Sequence, residues 1–222
     1  MDLQGAIRKY YHQACIEQNG LAEIDDGMKA IMQGKVAFDS QVAKRWMNNY
    51  GLFQGILNRD RDNIVSTVSR CISKIISSDI TENRDSDIAE KFTLLFTELY
   101  CTVNRGWLSA TSKLLWCSFP DDVVIYDSFI ERFIIVMQWF EESLVDLPRL
   151  GNSPNLYSAK DIPQIVNYYL RYQDRVYRLF QKYSTMLKQL RVENNEEYPH
   201  DLRIFDKILW ITSNPNSIDS TA

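Results

Sequence analysis

Apolar side chains return about every 3.6 residues along almost the whole chain. Little interrupts them, since the 222 residues include only eight glycines and six prolines. That period is the repeat of an α-helix, so the chain has helical stripes to bury rather than sheet faces. Leu3, Ile7, Tyr10, Tyr11 and Ala14 make the first stripe, which closes near Gly20. Val42, Trp46 and Tyr50 follow an Asp39-Ser40 cap and stop at Gly51. Ile64, Val68, Cys71, Ile72 and Ile75 form a third stripe. After a charged break from Glu82 to Asp87 comes a broader one: Ile88, Phe92, Leu95, Phe96, Leu99, Tyr100 and Val103. The spacing predicts an all-α fold.

Weaker stretches divide these helices. Residues 24–37 carry Gly27 and Gly34 and read as a poor helix or a loop. A helix begins after Asp127, carries Ile130, Phe133, Ile134, Met137 and Leu144 inward, and is expected to run until Pro148. Residues 149–160 are a loop by composition. A long helix then runs from Asp161 to about Arg191, and a last one holds Leu202, Phe205, Leu209 and Trp210. Residues 214–222 read as a frayed tail. A chain of this length supports one domain over 1–222. Two lobes, about 20–105 and 106–213 with a cleft between them, are the expected subdivision. The only strand-like segment is Val123 to Tyr126.

Several function classes are disfavoured at once. Net charge is −4, so the surface as a whole does not attract polyanions, although a local basic face is enough to hold a phosphate backbone. Cys15, Cys71, Cys101 and Cys117 lack paired short spacing, and only His12 and His200 could join them. Neither a zinc site nor an iron–sulfur cluster is expected, and no cofactor is called for. Residues 1–20 are amphipathic and charged rather than a signal peptide. The longest apolar runs, such as Phe133 to Phe140, are far too short to span a bilayer. A cytoplasmic protein without a membrane partner is the expectation.

Chemistry is concentrated between Trp107 and Phe129. A small-residue turn, Ser109 to Ser112, leads into Lys113, and the β-branched segment Val123 to Ile125 delivers Asp127 to the start of the next helix. A lysine at a helix N-terminus meets the positive end of the dipole, which disfavours the ammonium form. A neutral amine can attack a carbonyl carbon and form a Schiff base. A nearby carboxylate can stabilise a developing cation or move a proton. The plainer alternative is a solvated lysine and an ordinary N-cap.

Two further groups stand out. Arg171, Arg175, Arg178 and Lys182 share one helix face, and residues 160–191 hold seven basic and two acidic side chains. They read either as a phosphate-contacting strip or as a solvated face. Trp46, Tyr50 and Phe53 either line a base-stacking pocket or belong to the core.

The central stretch resembles the helix–hairpin–helix DNA glycosylases, in particular bacterial proteins similar to 8-oxoguanine DNA glycosylase. That superfamily writes its hairpin Leu-Pro-Gly-Val-Gly-x-Lys and supplies an aspartate at the start of the next helix. Here the hairpin falls on Trp107 to Ser112, the lysine on Lys113 and the aspartate on Asp127, with Ser109 and Thr111 where glycines usually stand. A short bacterial branch with Ser-Lys-Leu-Leu, Pro and Ile-Tyr-Asp-Ser is similar to residues 112–128. Its C-terminal Arg, Asp-Lys and Leu-Trp are similar to Arg203, Asp206-Lys207 and Leu209-Trp210.

The resemblance implies a helical glycosylase-like fold and DNA as partner. It also implies excision of a damaged or modified base, with or without lyase activity, through Lys113 and Asp127. Ser109, Thr111 and Ser112 would then meet the DNA backbone, joined by Arg171, Arg175, Arg178 and Lys182. Trp46, Tyr50 and Phe53 would flank the extruded base. Relatives of this branch sit in bacterial antiphage operons, so the role implied is DNA repair or antiphage defence. The alternative is an inactive protein of the same fold that binds another defence protein.

Overall fold

The computed structural model describes residues 2–214; the rest of the expected tail lies outside the described residues. Ten α-helices are described: α1 (Leu3–Asn19), α2 (Ala22–Met32), α3 (Ser40–Asn49), α4 (Asn58–Ile75), α5 (Arg84–Val103), α6 (Leu108–Ser118), α7 (Ser128–Met137), α8 (Glu142–Val145), α9 (Ile162–Glu193) and α10 (Asp201–Ser213). Every α-helix and the one 3-10 turn, Ala159–Asp161, is joined by turns or irregular chain, and no strand occurs among the described residues. The fold is all-α.

Contacts divide the chain into two compact units that interleave in sequence. One comprises the described residues of Met1–Leu21, Val124–Ser153 and Arg171–Ala222; the other comprises Ala22–Val123 and Pro154–Leu170. These boundaries differ from the expected lobes of 20–105 and 106–213, because α9 contributes to both units and the segment after Val123 joins the terminal helices.

In the first unit α10 packs against α1 and α7. Its face is buried through Leu202, Phe205, Ile208 and Leu209, while Ile7, Tyr11 and Ala14 are the buried face of α1. Polar ties reinforce the pair: Arg203 Nε donates to Gln18 Oε1 at 3.0 Å, and Lys207 pairs with Glu17 at 2.9 Å.

The second unit is built on α4 against α5, with α6 packed on both α5 and α2. The Thr67 and Thr102 hydroxyls meet at 2.9 Å between α4 and α5. Phe92 of α5 stacks on Tyr169 with ring centroids 4.0 Å apart.

Three local expectations are corrected. The 24–37 stretch is divided: a helix, α2, begins before it and ends at Met32, and the rest is turn and irregular chain; Gly27 sits close to α3, where a Cβ would lie 3.3 Å from Val42 Cγ1. Gly34 ends the same region at φ +68°, a conformation that favours glycine. The helix after Asp127 does not reach Pro148. It stops at Met137, where the Gln138 side chain donates to Leu150 O at 2.9 Å and accepts from Leu150 N at 2.8 Å, drawing the chain into a turn before α8. The charged break ends inside the expected span, since α5 starts at Arg84. There Asp87 accepts from Thr81 N at 2.7 Å and Thr81 Oγ1 at 2.6 Å.

Candidate active site

Asp127 is reached through an extended, buried segment in the first unit. Val124 N donates to Gln173 Oε1 at 3.1 Å, and Tyr172 OH donates to Ile125 O at 3.1 Å, so α9 pins the backbone that leads to the aspartate. Asp127 is the N-cap of α7: its Oδ1 accepts from Phe129 N at 2.8 Å. This is the helix-start position expected from Asp-Ser before an apolar run.

One turn into α7 lies Glu131, which sequence reading did not single out although it stands four residues after Asp127. It is buried and accepts from Ser153 N at 3.1 Å. The neighbouring Tyr126 phenol is held well above its ordinary range, by burial first and then by the Glu131 charge. The i, i+4 spacing was the available signal, but only tertiary burial makes this carboxylate unusual.

Lys113 belongs to the second unit. It sits in the second turn of α6, not at a helix start, because Ser109 to Ser112 continue the helix and do not form a turn or hairpin. No glycine or proline breaks this run, and the two serine hydroxyls are used inside the helix. Ser112 Oγ donates to Ser109 O at 3.2 Å, and Lys113 Nζ donates to Ser109 Oγ at 2.6 Å. Dipole effects fade within the first turn, so the positive end of α6 does not act on Lys113 as expected. The amine is half-buried.

Backbone-contacting roles for Thr111 and Ser112 are likewise corrected. Both are fully buried. Burial leaves neither displayed to a ligand. Ser109 is half-buried, with its hydroxyl engaged by Lys113.

Trp46, Tyr50 and Phe53 are also placed differently. The Trp46 and Tyr50 rings lie 4.7 Å apart between centroids, and both converge on Asp25. Trp46 Nε1 donates to Asp25 Oδ1 at 2.9 Å, and Tyr50 OH reaches the two carboxylate oxygens at 2.9 and 3.0 Å. Trp46 and Asp25 have no exposed surface, and Phe53 is buried beneath the Arg61 guanidinium. Trp46 and Tyr50 close around a buried carboxylate, and Phe53 belongs to the core. Asp25 was missed because an acidic residue in a glycine-containing, weakly periodic stretch gives no sequence sign of burial.

The basic residues of α9 are drawn into the first unit's own structure. Arg171 donates to Pro148 O at 2.9 Å and also to Arg149 O. Arg175 is 2% exposed, which corrects its expected place on a phosphate-facing surface. It donates to Arg171 O at 2.6 Å and to Pro148 O. The shared face is real, but its first turns point at the carbonyls around Pro148. Arg178 forms a two-bonded pair with Asp174 at 3.0 and 3.2 Å. Lys182 pairs with Glu141, which raises the lysine's affinity for its proton.

Among the described residues, no three His, Cys, Asp or Glu side chains are grouped to hold a metal ion, and no helix is long and apolar enough to cross a membrane. Compared with protein-family models, curated proteins and solved structures, the chain matches none.

Proposed function

We propose that the protein is a helix–hairpin–helix-type DNA glycosylase, with or without lyase activity, that removes a damaged or modified base in DNA repair or antiphage defence. The reading rests on the residue pattern from Lys113 to Asp127 and is compatible with an all-α chain. The observation that carries it is the half-buried Lys113 amine held at 2.6 Å by a neutral hydroxyl. Partial burial suits an amine that must act as a nucleophile.

In this mechanism the target base leaves the stack, and the neutral Lys113 amine attacks the sugar C1′ as the glycosidic bond breaks. The bond electrons leave with the base, which takes up a proton. Loss of the amine proton and opening of the sugar ring give an imine, from which strand cleavage can proceed. Asp127 stabilises positive charge on the sugar and relays protons.

Borohydride trapping on a duplex with an abasic site tests the reading. The amine condenses with the C1′ aldehyde, water leaves, and hydride reduces the imine to a stable adduct. Wild type is expected to give the adduct and Lys113→Gln to give none. An adduct that survives in Lys113→Gln, or no adduct and no base release from any modified duplex, would refute the proposal.

A second reading, a non-enzymatic interaction protein of the same fold, draws support from the α9 strip. Arg171 and Arg175 are spent on backbone carbonyls, while Arg178 and Lys182 are neutralised by Asp174 and Glu141. Such a strip offers a phosphate backbone less than its formal charge suggests.

A further inference from the structure

Asp127 is half-buried, and one of its carboxylate oxygens is used inside the protein while the other is not. Oδ1 accepts from Phe129 N at 2.8 Å, whereas Oδ2 has no hydrogen-bond partner among the described residues. The cap bond fixes Asp127 to the helix that follows it and leaves the incoming chain to be held by other groups. That chain is fastened residue by residue. Val124 N donates to Gln173 Oε1, Tyr172 OH donates to Ile125 O, and the Tyr126 phenol donates to the Glu131 carboxylate.

The last of these bonds closes a ring through Asp127 itself. Glu131 lies one turn along α7, the helix that Asp127 caps, so two adjacent residues are tied to the same helix. Glu131 is held in turn by Ser153 N at 3.1 Å, and the Tyr126 ring meets the Tyr172 ring edge-on with centroids 5.2 Å apart. Tyr126 and Glu131 are each 8% exposed, so water is a poor substitute for either partner. Neither is needed to start α7, which the Asp127 side chain already caps. A buried carboxylate is costly unless it is bonded, and here its bonds are spent on the residue beside Asp127. Groups that do chemistry are held in place by neighbours that are themselves locked. We propose that Glu131 is a positioning residue for base excision, holding Tyr126 so that Asp127 Oδ2 faces the positive charge that develops on the sugar; this rests on the glycosylase reading.

Fluorescence anisotropy on two duplexes tests it, one with a cationic pyrrolidine in place of the abasic sugar and one with neutral tetrahydrofuran. The ratio of the two affinities reads how well Asp127 meets the charge. Wild type is expected to prefer pyrrolidine by about a hundredfold, the low end for transition-state analogues. Asp127→Asn should remove most of that preference. Tyr126→Phe and Glu131→Ala should each cut it about tenfold, the lower end of what losing a supporting group costs at metal sites. Glu131→Gln should keep it, because the amide oxygen still accepts from Ser153 N and Tyr126. A merely structural role would lower the urea midpoint and leave the ratio alone. A preference that Asp127→Asn removes but Tyr126→Phe and Glu131→Ala keep overturns the proposal and leaves the glycosylase reading standing. So does a Glu131→Gln variant as impaired as Glu131→Ala, which would make the charge of Glu131 the active feature and not its hold on Tyr126. A preference absent from wild type, or untouched by Asp127→Asn, removes the role of Asp127 and the proposal with it.

Discussion

Replacing Asp25 by alanine removes the acceptor on which Trp46 and Tyr50 converge, and the structure sets the size of the effect. The indole N–H of Trp46 lies 2.9 Å from the carboxylate in a site without exposed surface, so water cannot replace the lost partner. A hydrogen bond to a charged group contributes about 1.5–3 kcal/mol net, and a buried donor left alone keeps its full desolvation penalty. Tyr50 is only half-buried and can turn its hydroxyl toward water, so its share is smaller. Together the two donors predict a loss of about 3–4 kcal/mol for Asp25→Ala. With a urea slope of about 2 kcal/mol per molar, the unfolding midpoint should fall by roughly 1.5–2 M.

Tryptophan fluorescence through a urea titration reads this directly. Trp46→Phe and the double variant complete a cycle, in which a coupling above about 1 kcal/mol is expected for groups in contact. A loss under about 1 kcal/mol, or a coupling near zero, would refute the reasoning. The aromatics would then be free to act as a ligand platform instead of core.

Asp127→Ala should lower stability by about 1 kcal/mol through loss of the cap on α7, whereas Asp127→Asn keeps a capping side chain and should lose much less. If Asp127 also acts in base excision, the asparagine variant loses turnover while its urea midpoint stays near wild type. Lys91→Met should cost about 2–4 kcal/mol by urea unfolding. Its buried amine donates to Ile75 O at 2.6 Å, Ser78 O at 2.7 Å and Ser78 Oγ at 3.0 Å, and those acceptors lose their donor.

Burial pushes the Cys71 thiol from 9.0 up to about 11. Above pH 9 the unfolded chain releases this proton before the folded one does, so the folded state holds more protons and stability falls between pH 9 and 11. Cys71→Ser should make that decline shallower, and an unchanged slope over that range would contradict the assignment. Gly34→Ala should destabilise by more than about 1 kcal/mol, since φ is +68° and the new Cβ would lie 2.5 Å from Ile76 Cδ1. Thermal unfolding measures it.

Much of the fold was legible because helices are local objects. Asp39 accepting from Gln41 N at 2.7 Å and Asp127 accepting from Phe129 N at 2.8 Å are contacts between near neighbours. Stripes such as Ile88 to Leu99 report burial through their period alone. Asp127 was therefore placed at a helix start from the sequence. Lys113 was also expected at a helix start but lies in the second turn of α6, because serines and a threonine suit both a turn and the first turn of a helix. Packing of α6 on α2 and α5 decided between them.

Several other differences involve residues distant in sequence. Gln138 ends α7 by holding Leu150, Arg175 is buried by Pro148, and Asp25 is drawn inside by Trp46 and Tyr50. A sequence read in short windows determined that this chain makes helices, roughly where they begin, and which residues could carry chemistry. Only the tertiary structure decided which polar side chains are used up holding it together. That depends on whether a buried carbonyl or carboxylate finds its partner across the chain, and such pairing follows no local period.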